Sequence, residues 1–461
     1  MLIAVFTMLL AVLDQYFGIA TQAYFWDELG VYAPAAIHFY THGIGILPGD
    51  LPDILSRGHP TLFSVVVAIS FKLFGCSPFT AHLTCYAIFV TGVCYLFAIL
   101  RLWTTNTTAF IIAVAIGVQP CFISQSVIVL PEIMLMTAAL AAAYHSMREQ
   151  LLKACIWLCI IVLVKESGLV IPLAIWLAYL YTNRTIKQSS PLPLIIIPYS
   201  VFALFLIAQK IQNGYFFFPL HTSLLKPEWY YIKERLLLAR DFIINDQGRL
   251  WFLAIVLLPV LFSAFKWWQY LPEKFRAERR QWSMVLLIVA GGLAFTGLNF
   301  FLSRYILFFL VFVYLGCFML LLTLGNIQRL WVYVASLYLI VSSVYINTVN
   351  TQYTDVDFTY VPHVKTSEEA FGYMATNPKF KDADLALPFP LIAATYGDKL
   401  GYPALKSKVR DFPGQHDTTF DYLVFCRPGN DNLPDSFKHH MEHDTTFKNK
   451  DAFVSIYKVK K

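Results

Sequence analysis

Arg304-Tyr305-Ile306-Leu307-Phe308-Phe309-Leu310-Val311-Phe312-Val313-Tyr314-Leu315-Gly316-Cys317-Phe318-Met319-Leu320-Leu321-Leu322 is the stretch on which the fold turns. After its opening Arg-Tyr pair it carries no charge, over a length that suits a helix crossing a hydrocarbon core of about 30 Å. Leu250–Phe265 and Met284–Phe295 are blocks of the same kind. The 461-residue chain is 57% hydrophobic and only 14% charged, where soluble domains carry roughly 25%. A large soluble enzyme breaks its apolar residues into shorter periodic runs. The composition therefore specifies an all-α polytopic membrane protein.

Basic residues mark where the spans end. Arg101, Arg148 and Lys153, Arg184 and Lys187, the run Lys266–Arg280, and Arg329 all fall in short connections, which the positive-inside rule assigns to the cytoplasm. Walking between them predicts about eleven crossings, near 1–20, 79–101, 109–128, 133–148, 151–164, 168–182, 191–211, 250–266, 282–299, 304–322 and 330–350. Thr61–Phe74 is left out, because counting it would place Arg101 and the later basic loops outside. It reads instead as a juxtamembrane or re-entrant helix within a long outer loop, 21–78. A second outer loop covers 212–249. The N-terminus is then cytoplasmic, and the first apolar run reads as a retained helix, since it lacks a basic leader and a cleavage motif.

Residues 1–350 form the expected membrane module, and composition changes at 351–461, where Asp, Lys, Pro and Asn return. There Asp384–Pro388, Tyr422–Cys426 and Phe453–Val459 read as strands, and Thr366–Ala375 and Leu391–Leu400 as helices. The expectation is a small extracytoplasmic α/β domain. Cysteines are scattered, without metal or disulfide spacing, and read as inert buried thiols. Asp14 has no assigned role. The tripeptides at Asn106 and Asn183 match a glycosylation pattern but fall on the cytoplasmic side, and Trp229, Tyr230 and Tyr231 suit an interfacial aromatic belt.

Ionisable residues at membrane depth are rare and mark function, and in this topology they gather at one level. Asp27 and Glu28 follow the first helix; Arg57 and His59 precede Pro60; Glu132 follows Pro131; Lys165 and Glu166 interrupt an apolar run; Arg304 and Tyr305 open the tenth span. Each has a plainer reading, as a helix-terminal carboxylate, a snorkelling cation or a helix-start signal. Together they suit chemistry at a phosphate. Carboxylates serve as a general base or hold a divalent cation, while Lys and Arg bind phosphate and stabilise charge on a departing one.

The same residues carry a family resemblance. Asp27-Glu28 with Tyr32, then Gly58-His59-Pro60-Thr61-Leu62-Phe63, then Lys72-Leu73-Phe74-Gly75 resembles the first outer loop of GT-C glycosyltransferases. More narrowly, it is similar to the protein O-mannosyltransferase and lipid A aminoarabinose transferase superfamily. Pro131-Glu132 falls at the family's second acidic residue, usually Asp; Lys165 at its outer-facing Lys; Ser303-Arg304-Tyr305 at its late Arg-Tyr helix start. His59-Pro60-Thr61 replaces the family's His-Pro-Pro or Lys-Pro-Pro. The resemblance implies an inverting transfer of a monosaccharide from a polyprenyl-phosphate donor to a lipid, glycan or protein acceptor. It makes Asp27, Glu28 and Glu132 the catalytic candidates, and Lys165, Arg304, His59 and Arg57 the donor-phosphate set. Tyr32, Glu166 and Tyr305 complete the pocket, and a Mg or Mn ion would fall to Asp27 and Glu132.

The bilayer and the lipid donor are the expected partners, and nucleic acid is not. A bacterial inner membrane with a periplasmic site is the preferred setting. A polysaccharide polymerase or ligase lacks the early Asp-Glu and His-Pro pattern. A transporter or lipid flippase would place its charges near the midplane and show paired halves; a noncatalytic scaffold would bind no donor.

Overall fold

The computed structural model describes residues 1–183, 191–267, 278–324, 328–350, 353–396, 398–412, 419–427, 437 and 439–460. Arg184, Lys187 and most of the basic run 266–280 lie outside them. The chain is mostly helical with one small sheet near its C-terminus. Among the described residues five helices are long and apolar enough to cross a membrane: Pro78–Leu100, Pro193–Asn213, Arg279–Leu298, Ser303–Leu322 and Leu330–Val349. A sixth crossing results if Trp229–Ile244 and Asp246–Leu261, bent by 54°, act as one.

The remaining predicted spans are also helical but shorter, and local chemistry sets their ends. Leu2–Phe17 stops at Gly18, which takes a left-handed φ of 71°, while the Asp14 carboxylate accepts a hydrogen bond from Ala20 N at 2.7 Å. That terminal cap is the role the sequence left open for Asp14. The run predicted as one span over 109–128 is two helices, Asn106–Gly117 and Pro120–Gln125, since Pro120 withholds an N–H and fits a first turn. Leu151–Val164 ends where Lys165 turns extended (φ −162°, ψ 142°). Leu62–Phe74 is a helix of 13 residues, roughly 20 Å long and thus short of a full crossing. Outward-facing Ile3, Met8, Val12, Leu204, Ile211, Leu337 and Val344 are exposed apolar side chains on these helices, as a lipid-facing surface requires.

Two levels emerge along the helix axes. At one end Arg280 pairs with Glu149 at 2.7 Å, and Arg279 donates to Thr182 O at 3.0 Å. At the other end lie Glu132, Lys165 and Arg304, bonded as described below. Pro131–Met147 and Leu151–Val164 run between the two levels. The basic connections and the candidate site residues therefore occupy opposite ends of the same helices.

The C-terminal sheet has the order β2-β1-β3-β5-β4, with β1 Asp384–Leu387, β2 Lys408–Asp411, β3 Tyr422–Arg427, β4 Met441–Asn449 and β5 Ala452–Val459. β1 pairs parallel with β2 and β3, and the other pairings are antiparallel. Period-2 alternation sends Leu385, Leu387, Val424 and Cys426 to the main core, and Ala386, Leu423 and Phe425 to a second, smaller one. The three predicted strands are present; β2 and β4, polar and exposed along much of their length, gave no apolar signal. The predicted helix at Thr366–Ala375 lies inside Val361–Thr376, whereas Leu391–Leu400 holds 3-10 turns at Leu391–Tyr396 and Asp398–Leu400.

The segment between the first helix and Pro78 is pinned to both regions. Glu28 is fully buried and accepts bonds from Phe25 N (3.0 Å), Val129 N (2.9 Å) and His82 Nε2 (2.8 Å). Tyr402 donates to Tyr24 O at 3.0 Å, and Glu368 accepts from Ala23 N at 2.7 Å. Removing Glu28 strands an imidazole and two amides in the interior. Glu28→Ala should therefore lower stability by about 3–5 kcal/mol, read as a fall in thermal midpoint of the detergent-solubilised protein; a midpoint equal to wild type would contradict this role.

Candidate active site

Asp27 sits in the turn that Glu28 fixes. The residue before it, Trp26, has φ of 49°, a left-handed conformation that bulky residues rarely adopt and that tends to mark functional turns. The Asp27 carboxylate pairs with Arg304 Nη2, and Arg304 Nη1 pairs with Asp355. Arg304 Nε lies 3.9 Å from Glu132 Oε1, and that same oxygen takes Lys165 Nζ at 2.6 Å. The Tyr305 ring stands beside both cations, 3.9 Å from Lys165 Nζ and 5.5 Å from Arg304 Cζ. Tyr32 is within electrostatic reach of Lys165, Glu132, Tyr305 and Asp27.

Two cations and three carboxylates thus form one network, with Lys165, Glu132 and Arg304 themselves buried. Such charges persist in the interior only when paired. Two of the network's atoms, Glu132 Oε2 and Arg304 Nε, make no hydrogen bond among the described residues, and orphaned buried polar atoms are uncommon unless a site has a further use for them. Asp27 and Glu132, the pair named for a divalent cation, each face a cationic partner here.

Beside this network His59 Nδ1 contacts Glu166 at 2.8 Å, and the His221 ring lies 4.5 Å from that of His59. Burial, followed by the neighbouring His59, pushes the His221 imidazole down to about 4, so it is neutral at physiological pH. Gly58, Lys165, Glu166, His221 and Tyr305 line a cavity of about 300 Å³ whose other walls include Phe202, Phe205, Leu206, Leu224, Leu225 and Phe295. Phe217, Leu225 and Phe300 are exposed at its apolar side. The cavity is therefore amphipathic: greasy along most of its wall, cationic and polar at one end.

The structure brings together Asp27, Tyr32, Glu132, Lys165, Arg304 and Tyr305, and sets His59 and Glu166 next to them. Glu28 turns away into the framework described above. Arg57, a left-handed helix end with φ of 46°, reaches the Phe389 ring at 5.9 Å on the C-terminal region. Three contributors were not read from sequence. Asp355 follows the last membrane helix and looks like the start of a linker. His221 stands in the short helix Pro219–Leu224, which carries no motif. Arg235 holds that segment in place, donating to Leu298 O (2.9 Å) and Leu224 O (3.2 Å); its helix also carries Lys233, Glu234, Arg240 and Asp241, so nothing in the sequence singled it out.

Two solved structures share this architecture over almost the whole chain. One is ArnT from Cupriavidus metallidurans bound to undecaprenyl phosphate, with a TM-score of 0.58 and 13% identity, covering 99% of this chain and 97% of that one. The other is apo ArnT from the same organism, at a TM-score of 0.57 and 11% identity with the same coverage. The chain has an ArnT-like fold. No protein-family model and no curated protein sequence matches it. The ArnT likeness agrees with the GT-C resemblance of the segment that follows the first helix, which rests on a different set of observations.

Gly58 shows how tightly the His-Pro turn is held. Its φ is 71°, and a Cβ there would stand 2.7 Å from Phe218 Cβ, closer than any real contact. Gly58→Ala should strain the turn by at least about 1 kcal/mol and displace His59, seen as a lower thermal midpoint; an unaltered midpoint would mean that the turn and Phe218 yield freely.

Proposed function

We propose that the protein is an inverting glycosyltransferase that takes a monosaccharide from a polyprenyl-phosphate donor at the outer face of the membrane. The observation that carries this reading is the amphipathic cavity ending at Lys165 and Tyr305, one bond from the Asp27–Glu132–Arg304 network. A polyprenyl-phosphate sugar has the same division: an apolar tail, a phosphate, and a sugar beyond it. The tail lies along Phe202, Phe205 and Leu206, and the phosphate meets Lys165. The undecaprenyl phosphate bound by the Cupriavidus ArnT is a ligand of this class.

In one displacement the acceptor nucleophile attacks the anomeric carbon, and the bond from that carbon to the phosphate oxygen breaks. Asp27 takes the proton of a hydroxyl acceptor as general base, or positions an acceptor that is already anionic. Lys165 and Arg304 receive the growing charge on the departing phosphate, in surroundings where preorganised cations count for most. Glu132 holds Lys165 in place, and Asp355 and Asp27 orient the guanidinium from two sides. Glu28 belongs to the framework of this site rather than to its chemistry. The protein crosses a bacterial inner membrane about eleven times, counting the shorter helices, with residues 351–461 as a periplasmic domain.

Asp27→Asn removes the charge and keeps the shape, so turnover of a radiolabelled polyprenyl-phosphate sugar should fall to background while the protein stays folded. Transfer at the wild-type rate would take Asp27 out of the mechanism. Lys165→Ala should lose at least about tenfold, or 1.4 kcal/mol, at limiting donor, and unchanged kinetics there would speak against its phosphate role. For orientation, a cysteine placed at Tyr230 should react with an impermeant maleimide on intact spheroplasts, and one at Glu149 only after permeabilisation. The reverse labelling would invert the proposed sidedness.

A further inference from the structure

At the end of the bundle opposite the candidate site lies a separate hollow of about 400 Å³. The short turn between Pro78–Leu100 and Asn106–Gly117 contributes Arg101, Trp103, Thr104 and Thr105 to it, and two other helices add Leu322 and Val332. Leu322 ends the helix that Arg304 opens, Ser303–Leu322. At 1.5 Å per residue the hollow therefore stands roughly 30 Å from the charged network. That is the hydrocarbon thickness of a bilayer, so the two features sit at the levels of the two headgroup layers.

The cations at this level are not all engaged alike. Arg280 pairs with Glu149 at 2.7 Å and stands over the Tyr179 ring, and Arg279 donates to Thr182 O. Arg101 belongs to the same level, because the Tyr95 ring, near the end of its helix, packs against Tyr144 at 5.9 Å, just before Glu149. Yet Arg101 is exposed, and among the described residues its guanidinium donates to Thr104 O at 3.3 Å and pairs with no carboxylate. Its charge is available to a ligand in the hollow.

The rest of the lining says which ligand. A guanidinium fork takes two phosphate oxygens at once, and Thr104 supplies a hydroxyl beside it. Trp103 is a residue type that concentrates at the headgroup layer. Leu322 and Val332 add apolar surface, and Leu330 and Leu337, on the helix that carries Val332, are exposed where acyl chains run. A soluble anion has no use for tryptophan and leucine; a phospholipid uses both halves of this set. We propose that the hollow binds the headgroup of an anionic glycerophospholipid, with Arg101 on its phosphate. Basic pockets between membrane helices hold such headgroups elsewhere. A lipid seated here ties the turn at 101–105 to the helix that carries Arg304 and to the one that leads to Asp355. The inference stands apart from the sugar-transfer reading.

The test uses the full-length chain, delipidated in detergent and titrated with phosphatidylglycerol or phosphatidylcholine, with and without inorganic phosphate, while native mass spectrometry counts bound lipid. Phosphatidylglycerol should bind at least about fivefold more tightly than phosphatidylcholine, whose own ammonium offsets its phosphate. Arg101→Ala should weaken phosphatidylglycerol by at least about fivefold. Thr104→Trp, which fills the hollow and keeps the charge, should weaken it as well. Both changes fall in a turn at the surface, where substitutions cost little stability. Lys153→Ala removes another exposed cation at this level and should leave binding unchanged, as should Lys165→Ala at the far end.

Equal affinity for the two lipids, or an Arg101→Ala protein that binds as wild type does, would overturn the site. Undiminished binding by Thr104→Trp, or a loss in Lys153→Ala equal to that in Arg101→Ala, would reduce it to general surface attraction and overturn the hollow. Displacement of the lipid by millimolar inorganic phosphate would make it a site for a soluble anion instead. A loss confined to Lys165→Ala would put the lipid in the other cavity. No sugar donor enters these measurements, so they fail or succeed independently of the transfer reaction.

Discussion

A guanidinium buried near the end of a membrane helix is the constraint around which this molecule is arranged. Arg304 is almost wholly enclosed, and an isolated charge there would be prohibitively unfavourable. Its partners are supplied by the segment after the first helix through Asp27 and by the segment after the last membrane helix through Asp355. Lys165 and Glu132 extend the network to two more helix ends. Segments more than three hundred residues apart in sequence are therefore joined by charge pairing. The framework and the candidate site are the same set of bonds, so a substitution in one is felt by the other.

The surroundings divide into apolar and charged regions because the protein has two solvents. Leu, Ile and Val on the outside of the helices meet hydrocarbon, where hydrophobic residues need no burial. Polar groups are drawn to the helix ends, where water or other polar groups can satisfy them. The cavity has Phe202, Phe205 and Leu225 in its wall together with Lys165, so both kinds of surface meet in one lining. A molecule soluble in only one of the two solvents fits only half of it.

The sequence made the helical class legible because uncharged runs such as Ile306–Leu322 have no other stable destination. It also made the charged residues legible as a group, since parity between basic connections and acidic loops placed Asp27, Glu132, Lys165 and Arg304 at one level. Helix lengths were harder to read: hydropathy runs on through Pro120, where backbone geometry does not. Glu28 was read alongside Asp27, because adjacency cannot distinguish a carboxylate facing a cavity from one buried against His82 and Val129. Asp355 and His221 were invisible for a related reason. Each is an ordinary polar residue in a segment without a motif, and only tertiary folding gives it a neighbour.

The single extended residue at 165 separates two side chains that a helix would crowd together. On a continuous helix, Lys165 and Glu166 would be turned about 100° apart and both would compete for the same side of the bundle. An extended backbone instead sends successive side chains to opposite sides. Lys165 meets Glu132, and Glu166 meets His59. One unwound residue thus furnishes adjacent compartments with a cation and an anion from consecutive positions, and keeps the two from neutralising each other.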